Sequence, residues 1–464
     1  MSSAPSVALA DGSGGTREFL GHPAGLSVLF GTEMWERFSY YGMRALLVLY
    51  LTKYLLLPGH VEHVWGYAGI KGFFEYFAGP LDVQPLSSLI YGSYTGLIYF
   101  TPLPGGWLAD RVLGQKRVVV IGIVLMAFGH FMMAVESLLF PALFLLVVGG
   151  GIFKPNTTGQ VGSLYAPGDH RRDRAYSIFY VGVNVGAFIA PLVCGTLGED
   201  VGWHYGFGAA GVGMLIALAV YLIGFNSLPE DELTKSRAAH REKVPLTRDQ
   251  RRAVLALIIL CIPLTLYWAC YEQQGNTVNL WTADNTDRSI NLLFWQGEIP
   301  VTWFQSLNPF VIFTVTPILI GLWTRQAARG KEPNSVIKMT IGCACMMAAN
   351  LIMVAAVMLA GETGKASWLW VVVYIVVLTV GEIYLSPISL SLYSKVAPPQ
   401  ILSTMIAINF IPNFLGGGFL QGWLGTYWSS MGKADFFLMI AAISAVAGLI
   451  VWAFDRPLKP ILKE

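Results

Sequence analysis

The sequence predicts an all-α membrane protein in which twelve transmembrane helices form two six-helix bundles. Of its 464 residues, 55% are hydrophobic and only 12% are charged, well below the roughly 25% charged residues of soluble domains. Twelve apolar runs are long enough to cross a bilayer, and one strongly charged stretch separates the first six from the last six. The net charge is only +2 and the basic residues are dispersed over short loops, which argues against a nucleic-acid-binding protein.

The twelve predicted spans divide the chain into two halves. They cover approximately residues 26–54, 84–108, 118–138, 140–163, 175–197, 206–225, 253–272, 301–323, 336–360, 367–392, 401–428 and 436–454. Each contains about 20 or more mostly apolar residues, enough to span the hydrocarbon core. We therefore expect an N-terminal bundle within 1–225 that follows a polar tail, a cytoplasmic linker at 226–252 and a C-terminal bundle within 253–464.

Lysine and arginine are concentrated in the connections on one side of the predicted membrane. Roughly 18 of them lie on the side of the 226–252 linker and about five lie on the other side. Because cytoplasmic loops carry the excess of basic residues, both termini are predicted to be cytoplasmic. The long external connections at 55–83 and 276–300 are rich in aromatic residues and are expected to lie partly at the interface.

Residues 31–44 of the first predicted span contain four charged residues, and each charge at the centre of a membrane helix costs roughly 3 kcal/mol. At about 100° per residue, these charges and two tyrosines fall within an arc of roughly 140°, so the opposite side can face lipid. This polar stripe consists of Glu33, Glu36, Arg37, Tyr40, Tyr41 and Arg44. A simple alternative is that pairs one turn apart only hold the helix together. The number of charges favours a water-filled cavity beside this helix.

The connection between the second and third spans, residues 106–117, reads GWLADRVLGQKR. It matches a G-x-L-x-D-R-x-x-G-x-[KR]-[KR] signature and so resembles the major facilitator superfamily, in which substrate binds near the midplane between two halves. Asp110 and the basic residues are interpreted as latches between neighbouring helix ends, assisted by the helix dipole. The alternative for Lys116 and Arg117 is a topology signal alone.

Lys154, in the sequence GGGIFKPNTTGQ, lies deep in the fourth predicted span. A lysine near a helix end can extend to water, but about a dozen apolar or small residues precede this one. The proline that follows it frees a backbone carbonyl that an aqueous cavity could solvate. In the fifth span, Tyr180 and Asn184 are one turn apart and share a face. They either line the same cavity or form hydrogen bonds between helices.

The second half contains fewer charges, and two carboxylates stand out. Glu272 follows Trp268 by one turn at the outer end of the seventh predicted span, where the alternative is a hydrated interfacial carboxylate. Glu382 lies in the middle of the tenth span, with Ser386 one turn later. Because that span contains no basic residue, Glu382 must find a partner elsewhere or be protonated. In the eighth span, Asn308 precedes a proline that is expected to break the helix near its start.

Pseudo-symmetry between the two halves predicts which of these charges meet. If the first helix faces the seventh and the fourth faces the tenth, Arg44 pairs with Glu272 and Lys154 pairs with Glu382. The membrane interior then holds four acids and three bases. At least one acid is therefore left to titrate.

Four motifs resemble those of the proton-dependent oligopeptide transporter (POT) family, bacterial type, within the major facilitator superfamily. They are E-x-x-E-R-F-x-Y-Y-G at 33–42, K-P-N at 154–156, F-Y-x-x-x-N at 179–184 and G-E-I-x-L-S-P at 381–387. The first motif is highly specific, and the resemblance extends from helix one to helix ten. It implies a proton-coupled symporter of di- and tripeptides, and possible transport of peptide-like drugs, by alternating access.

The resemblance also implies three sets of site residues. The proton-coupling set is Glu33, Glu36, Arg37 and Lys154. The substrate-binding set is Arg44, Tyr40, Tyr41, Tyr99, Lys154, Tyr180, Asn184, Trp268, Glu272, Asn308, Glu382 and Ser386. The gating set is Arg44, Glu272, Lys154, Glu382 and Asp110. Within these sets, Arg44 and Lys154 would receive the peptide carboxylate, whereas Glu382, Asn184 and Asn308 would receive its amino group.

The chemistry of a peptide fits such a site. A di- or tripeptide is a zwitterion, so a cationic wall in one half and an anionic wall in the other would orient it, while aromatic side chains contact many shapes. The proton is the coupling ion, so no metal or organic cofactor is expected, and the five cysteines lack metal-ligand spacing. We expect a monomer in the bacterial inner membrane whose partners are peptides and the lipid bilayer, without nucleic acid.

Other functions on this scaffold make different demands. An anion or drug carrier is the main alternative, although Glu382 argues against a purely anionic substrate. No metal cluster, nucleophile with a base, or nucleotide loop is recognisable on one membrane face, so the sequence predicts that the protein is not an enzyme.

The sequence also departs from the family in three places. The linker is too short for the two extra helices of many bacterial members, so no extra helix pair is expected. Residue 92 is glycine where animal members have histidine, so proton coupling must depend on carboxylates. Asn409 stands where the family usually has tryptophan, which alters one wall of the binding pocket.

Overall fold

The computed structural model describes residues 18–455 except 20, 167–168, 231–245, 293–294 and 362–363. The predicted N-terminal tail and the middle of the predicted linker lie outside the described residues. The described part of the chain is mainly helical. Its short strands are β1 Glu18–Phe19, β2 His22–Pro23, β3 Thr286–Asp287, β4 Ser289–Leu292, β5 Trp295–Glu298 and β6 Ala366–Ser367. They form the pairs β1–β2 and β4–β5, both antiparallel, and β3–β6, which is parallel.

Eight α-helices lie in the described residues between 21 and 230. They are α1 Ala24–Tyr50, α2 Tyr67–Ala78, α3 Val83–Phe100, α4 Pro102–Leu108, α5 Gln115–Met133, α6 Leu139–Ser163, α7 Arg171–Ala190 and α8 Trp203–Ile223. Short π-helical turns continue α1, α4 and α7.

Nine α-helices follow in the described residues from 246 to 455. They are α9 Arg248–Tyr271, α10 Thr277–Asn285, α11 Leu307–Ala328, α12 Ser335–Ala360, α13 Leu369–Val396, α14 Leu402–Ile408, α15 Ile411–Phe414, α16 Gln421–Thr426 and α17 Lys433–Ala453. α9 starts with a capping box, in which Thr247 and Gln250 exchange side-chain and backbone hydrogen bonds. The predicted helical break near Asn308 is a change from a 3₁₀ turn to α11 at Leu307.

Nine helical segments in the described residues are long and apolar enough to cross a membrane. Three further predicted spans differ from these for identifiable reasons. α1 carries four charged residues, the second span is divided between α3 and α4, and the eleventh is divided among α14, α15 and α16. Pro412 explains the break between α14 and α15, since a proline cannot donate a helical hydrogen bond. The architecture is consistent with the predicted twelve spans.

The two bundles meet on the side predicted to be extracellular. Lys53, just after α1, forms an ion pair with Asp284 at the end of α10. Glu199, beyond α7, accepts hydrogen bonds of 2.8 Å from the backbone N–H groups of Val301 and Thr302 and one of 2.7 Å from the Thr302 hydroxyl. These contacts join the N-terminal bundle to the turn before α11. We call this set of contacts the outer seal.

Glycines bring α3 into backbone contact with the eleventh span, in a second contact between the bundles. A Cβ atom added at Gly92 would lie 2.6 Å from the carbonyl oxygen of Gly418 and 2.8 Å from the Cα atom of Gly422. The Thr95 hydroxyl on the same helix donates a hydrogen bond of 3.1 Å to the carbonyl of Gly417. The position where animal family members have histidine is therefore filled here by the backbone of the other bundle.

We expect Gly92→Ala to lower the free energy of unfolding by about 1–3 kcal/mol, because overpacking a close contact forces the backbone to shift. Thermal unfolding of the purified chain checks this. Gly321→Ala on α11 is the matched control, since a Cβ atom there meets nothing within 4 Å. Equal stability of the two variants would contradict close backbone packing at Gly92.

Candidate functional site

A cavity of about 340 Å³ lies between the two bundles. It extends from the outer seal toward the predicted cytoplasmic ends of α6 and α13, as far as Thr158 and Leu390. Most predicted site residues line it, namely Glu33, Arg37, Tyr41, Arg44, Tyr99, Lys154, Tyr180, Asn184, Trp268, Glu272, Asn308, Glu382 and Ser386. We call this cavity the chamber.

Three predicted site residues lie elsewhere. Glu36 and Tyr40 face a smaller pocket inside the N-terminal bundle, and the Arg37 guanidinium lies 5.3 Å from the centre of the Tyr40 ring. Tyr40 was predicted to line a substrate pocket, and the structure places it away from the chamber because Tyr41, its neighbour on α1, takes that direction. Asp110 is exposed in the turn after α4, outside the walls of both cavities.

Arg44 and Glu272 form a buried ion pair between α1 and the end of α9. Glu272 is only 2% exposed, and the Arg44 Nε atom also donates a hydrogen bond of 2.8 Å to the Tyr91 hydroxyl. The predicted pairing of these two charges is therefore present. Glu272 is therefore a buried, paired carboxylate and not a hydrated one at the membrane interface.

The prediction that Glu272 ends the seventh span was wrong. A 3₁₀ turn at Glu272–Gly275 links α9 to α10, which continues to Asn285. The polar residues that follow Glu272 are buried between helices. Gln273 donates to the Gln421 carbonyl at 2.9 Å, and Asn276 accepts from the Ser88 hydroxyl at 2.9 Å.

Lys154 and Glu382 face the chamber from opposite bundles, each with other neighbours in this conformation. The Lys154 ammonium lies 5.1 Å from the centre of the Tyr99 ring, in the geometry of a cation–π contact. The Glu382 carboxylate accepts hydrogen bonds of 2.7 Å from Tyr271 and 2.9 Å from Asn308. The predicted Lys154–Glu382 pair is not present among these contacts.

Arg37 holds two carboxylates on α1. Its Nε atom lies 3.1 Å from Glu33 and 2.5 Å from Glu36, and Thr157 donates a hydrogen bond of 3.1 Å to Glu33. The local pairing that the sequence left open therefore exists. It leaves one net negative charge beside Lys154, so local pairing alone does not neutralise the cluster.

Tyr180 and Asn184 lie on the face of α7 that borders the chamber. Asn184 donates a hydrogen bond of 3.0 Å to the carbonyl of Tyr180 in its own helix, and the Tyr180 side chain is 55% exposed. Tyr180 and Asn184 therefore line the cavity, which is the first of the two alternatives that the sequence left open.

The sequence of this chain is similar to that of known transporters over nearly its whole length. The Major Facilitator Superfamily profile matches residues 60–420. The di-/tripeptide transporter of Lactococcus lactis subsp. cremoris is 30% identical, with 97% of this chain and 98% of the relative covered. The peptide transporter YePEPT of Yersinia enterocolitica is 32% identical, with 87% of each chain covered.

The chain belongs to the POT family of the major facilitator superfamily. The crystal structure of the peptide transporter POT in complex with sulfate has a TM-score of 0.81 at 29% identity and covers 97% of this chain and 98% of its own. A POT family transporter in complex with 5-aminolevulinic acid has a TM-score of 0.81 at 27% identity and covers 96% and 98%. The predicted family and its all-α membrane fold are confirmed, and the relatives are transporters rather than enzymes.

Two tyrosines that hold charged residues of the POT chamber were missed by sequence reasoning. Tyr271 and Tyr91 hold Glu382 and Arg44 in place, yet neither carries a charge that marks it in an apolar run. Their only signal is helical spacing, since Tyr271 lies three residues after Trp268. Asn409, which the sequence marked as a departure from the family, lines the chamber and is 7% exposed, and its side-chain oxygen has no hydrogen-bond partner in the part of the chain that the structure describes. The residue that replaces the usual tryptophan thus presents an amide to the chamber.

We expect Glu272→Gln to destabilise the protein by about 3–5 kcal/mol, because it leaves the buried Arg44 guanidinium without its anion. The double variant Arg44→Met with Glu272→Met removes both charges and should recover most of the loss. Thermal unfolding of the full chain measures both effects.

The control for this pair is Lys53–Asp284, whose side chains are 42% and 49% exposed. Asp284→Asn should change stability by at most about 1 kcal/mol, since exposed ion pairs contribute little. A loss for Glu272→Gln no larger than this control would contradict the strength assigned to the buried pair.

Proposed function

We propose that this chain is a proton-coupled symporter of di- and tripeptides that works by alternating access. The observation that carries this proposal is the distribution of charge in the chamber. Its cations belong to one bundle, and Glu382, a carboxylate held by neutral hydrogen bonds, belongs to the other. Arg44 and Lys154 form the cationic wall. A zwitterion of peptide length is the cargo that satisfies both walls together.

The peptide termini have complementary groups across the chamber. Lys154 contacts an aromatic ring rather than a carboxylate, so its ammonium is available to a peptide carboxylate. Tyr271 and Asn308 hold Glu382 with neutral hydrogen bonds, which leaves its negative charge available to a peptide ammonium. Replacing water around each terminus by a fixed opposite charge offsets the loss of hydration.

Peptide side chains are accommodated by the remaining wall. Tyr41, Tyr99, Tyr180, Trp268 and Phe410 line the chamber and present aromatic surface. Aromatic surface accepts side chains of many shapes, and the amide of Asn409 adds a polar contact. This composition supports a broad range of peptides and extends to peptide-like drugs. A POT structure in complex with alafosfalin, with a TM-score of 0.80 and 29% identity to this chain, agrees with that range.

The proton enters the cycle through the carboxylates on α1. Arg37 contacts both Glu33 and Glu36, with Lys154 beside them, so adding a proton to Glu36 releases a cation to bind elsewhere. A proton that moves inward through 100 mV gains about 2.3 kcal/mol. Each pH unit adds about 1.4 kcal/mol. One proton per peptide is therefore enough to support substantial accumulation.

Alternating access requires the outer seal to open. The buried pair Arg44–Glu272 joins the two bundles in the chamber wall, so Arg44 and Glu272 must separate when the bundles rock apart. Peptide that binds Arg44 competes for the same charge and weakens the pair. Lys154 and Glu382 can then pair in an empty, more tightly closed chamber, which keeps their predicted gating role.

We place the protein in the lipid bilayer of the bacterial inner membrane as a monomer, with both termini in the cytoplasm. Protons are the coupling ion, and no metal or organic cofactor takes part. The names of the Lactococcus and Yersinia relatives support the peptide cargo.

Glu36→Gln should abolish proton-driven uptake of a radiolabelled dipeptide into proteoliposomes while peptide counterflow survives, because the variant cannot exchange a proton but keeps the chamber. Glu298→Gln, in the exposed β4–β5 hairpin, is the matched control and should transport like the parent. Concentrative uptake by Glu36→Gln at the parental rate would refute the coupling role.

Dipeptides should raise the melting temperature of the purified chain, by the equivalent of about 2.7 kcal/mol at a concentration 100 times Kd. N-acetylated dipeptides and nitrate should have much smaller effects because they lack the ammonium group, and so should single amino acids, whose two charges are too close together to reach both walls. In Glu382→Gln, free and N-acetylated dipeptides should become equivalent. Stronger stabilisation by nitrate than by dipeptides would favour an anion carrier instead.

A further inference from the structure

A second cavity lies behind the chamber, inside the N-terminal bundle. Its volume is about 10 Å³, and its wall comes from α1, α3, α5 and α6. We call it the rear pocket. Arg37 and Lys154 line both the rear pocket and the chamber, so these two side chains separate the cavities. A space of about 10–15 Å³ is the minimum that holds one water molecule.

His130 on α5 lines the rear pocket. The residue is 2% exposed, and its Nδ1 atom has no hydrogen-bond partner among the described residues. Sequence analysis did not identify it, because a single histidine in an apolar run resembles ordinary packing. A buried polar atom without a partner is destabilising, so it indicates either a function or a bound water molecule.

Glu36 presents the complementary atom to the same pocket. It is also 2% exposed, and its Oε2 atom lacks a hydrogen bond among the described residues. That oxygen lies 2.5 Å from Arg37 Nε, but the contact is ionic and does not have hydrogen-bond geometry. Two residues of the rear-pocket wall, on different helices, therefore each have a buried polar atom with capacity for one more hydrogen bond.

The charged and titratable groups around His130 come from three elements. α1 contributes Glu36, Arg37 and Tyr40, α3 contributes Tyr94, and α6 contributes Lys154. α8 and the short turns at the two ends of α5 place no described residue in the wall of the pocket. Glu36 is therefore the one carboxylate of this wall, among the residues that the structure describes.

We propose that the rear pocket binds one water molecule that joins His130 Nδ1 to Glu36 Oε2, and that His130 is a positioning residue for the coupling carboxylate. If Nδ1 carries a hydrogen, the water accepts it and donates to Glu36. If Nδ1 is bare, the water donates one hydrogen to each residue. In both tautomers Glu36 receives a hydrogen bond, which favours its ionised form.

This inference rests on the proposed proton-coupling role of Glu36 and adds a residue that adjusts the protonation of Glu36. His130 touches neither the chamber nor the peptide, so it acts only on the pH at which Glu36 gives up its proton. Without the bridge, Glu36 keeps its proton to a higher pH. The pH profile of proton-driven uptake then moves upward while peptide binding is unchanged.

His130→Leu tests this by removing the ring nitrogen while keeping an apolar side chain. In proteoliposomes, the pH profile of gradient-driven dipeptide uptake should shift upward by about one pH unit, the effect of one lost hydrogen bond to a charged group. Peptide counterflow should stay at the parental rate. His130→Asn, whose amide lies near the position of Nδ1, should restore most of the parental profile.

Gly150→Ala provides an independent test that leaves both His130 and Glu36 in place. Gly150 lines the rear pocket, and an added Cβ atom meets only the Met126 sulfur, at 3.8 Å, so the methyl group fits without strain and takes the space of the water molecule. It should shift the pH profile in the same direction as His130→Leu. Gly208→Ala on α8 is the control, since a Cβ atom there meets nothing within 4 Å.

The outcomes separate this inference from the proposed function. If Glu36→Gln abolishes gradient-driven uptake while His130→Leu and Gly150→Ala keep the parental pH profile, the water bridge is refuted and the symport proposal stands. A profile that shifts equally in His130→Leu and His130→Asn, or in Gly208→Ala, also overturns it. If the parent itself shows no gradient-driven uptake, the proposed function fails, and the role of His130 fails with it.

Discussion

The cost of placing charge in a low-dielectric interior is the constraint on which this structure depends. Glu33, Glu36, Arg37, Arg44 and Glu272 are all buried, and each contacts an opposite charge within hydrogen-bonding or ionic distance. A buried ion removed from its partner is far less stable than the same ion in water. The α1 stripe can therefore rearrange only by exchanging one partner for another, and this requirement links the side chains of the two bundles.

Partner exchange also explains why the chamber has its particular walls. Lys154 and Glu382 are held by aromatic and neutral polar groups, which solvate a charge without cancelling it. Such groups keep Lys154 and Glu382 stable between transport cycles and leave them able to bind a peptide. A chamber in which every charge already had an ionic partner would have to break a buried pair before it could bind cargo.

The sequence was sufficient for the family, the order of helices and most of the chamber wall, because charges and tyrosines are conspicuous in apolar runs. It failed where a polar residue can lie either at the membrane surface or in a buried contact. The seventh span was predicted to end at Glu272, but the polar residues that follow are buried between helices. Tyr40 and Tyr41 are equivalent in sequence, and only packing decides which one faces the chamber. His130 carries no spacing signal, so its role depends on contacts visible only in the folded chain, whereas Asn409 was recognised in the sequence as a departure from the family and lies in the chamber wall.

The glycine contact between α3 and the eleventh span has a consequence for how such proteins can diversify. Gly92 meets Gly418 and Gly422 through main-chain atoms, so closure at this point does not depend on side chains that face the chamber. Substitutions of the aromatic chamber residues can therefore alter cargo preference without disturbing this backbone contact. Because this contact is made by main-chain atoms, natural variation can change selectivity one residue at a time.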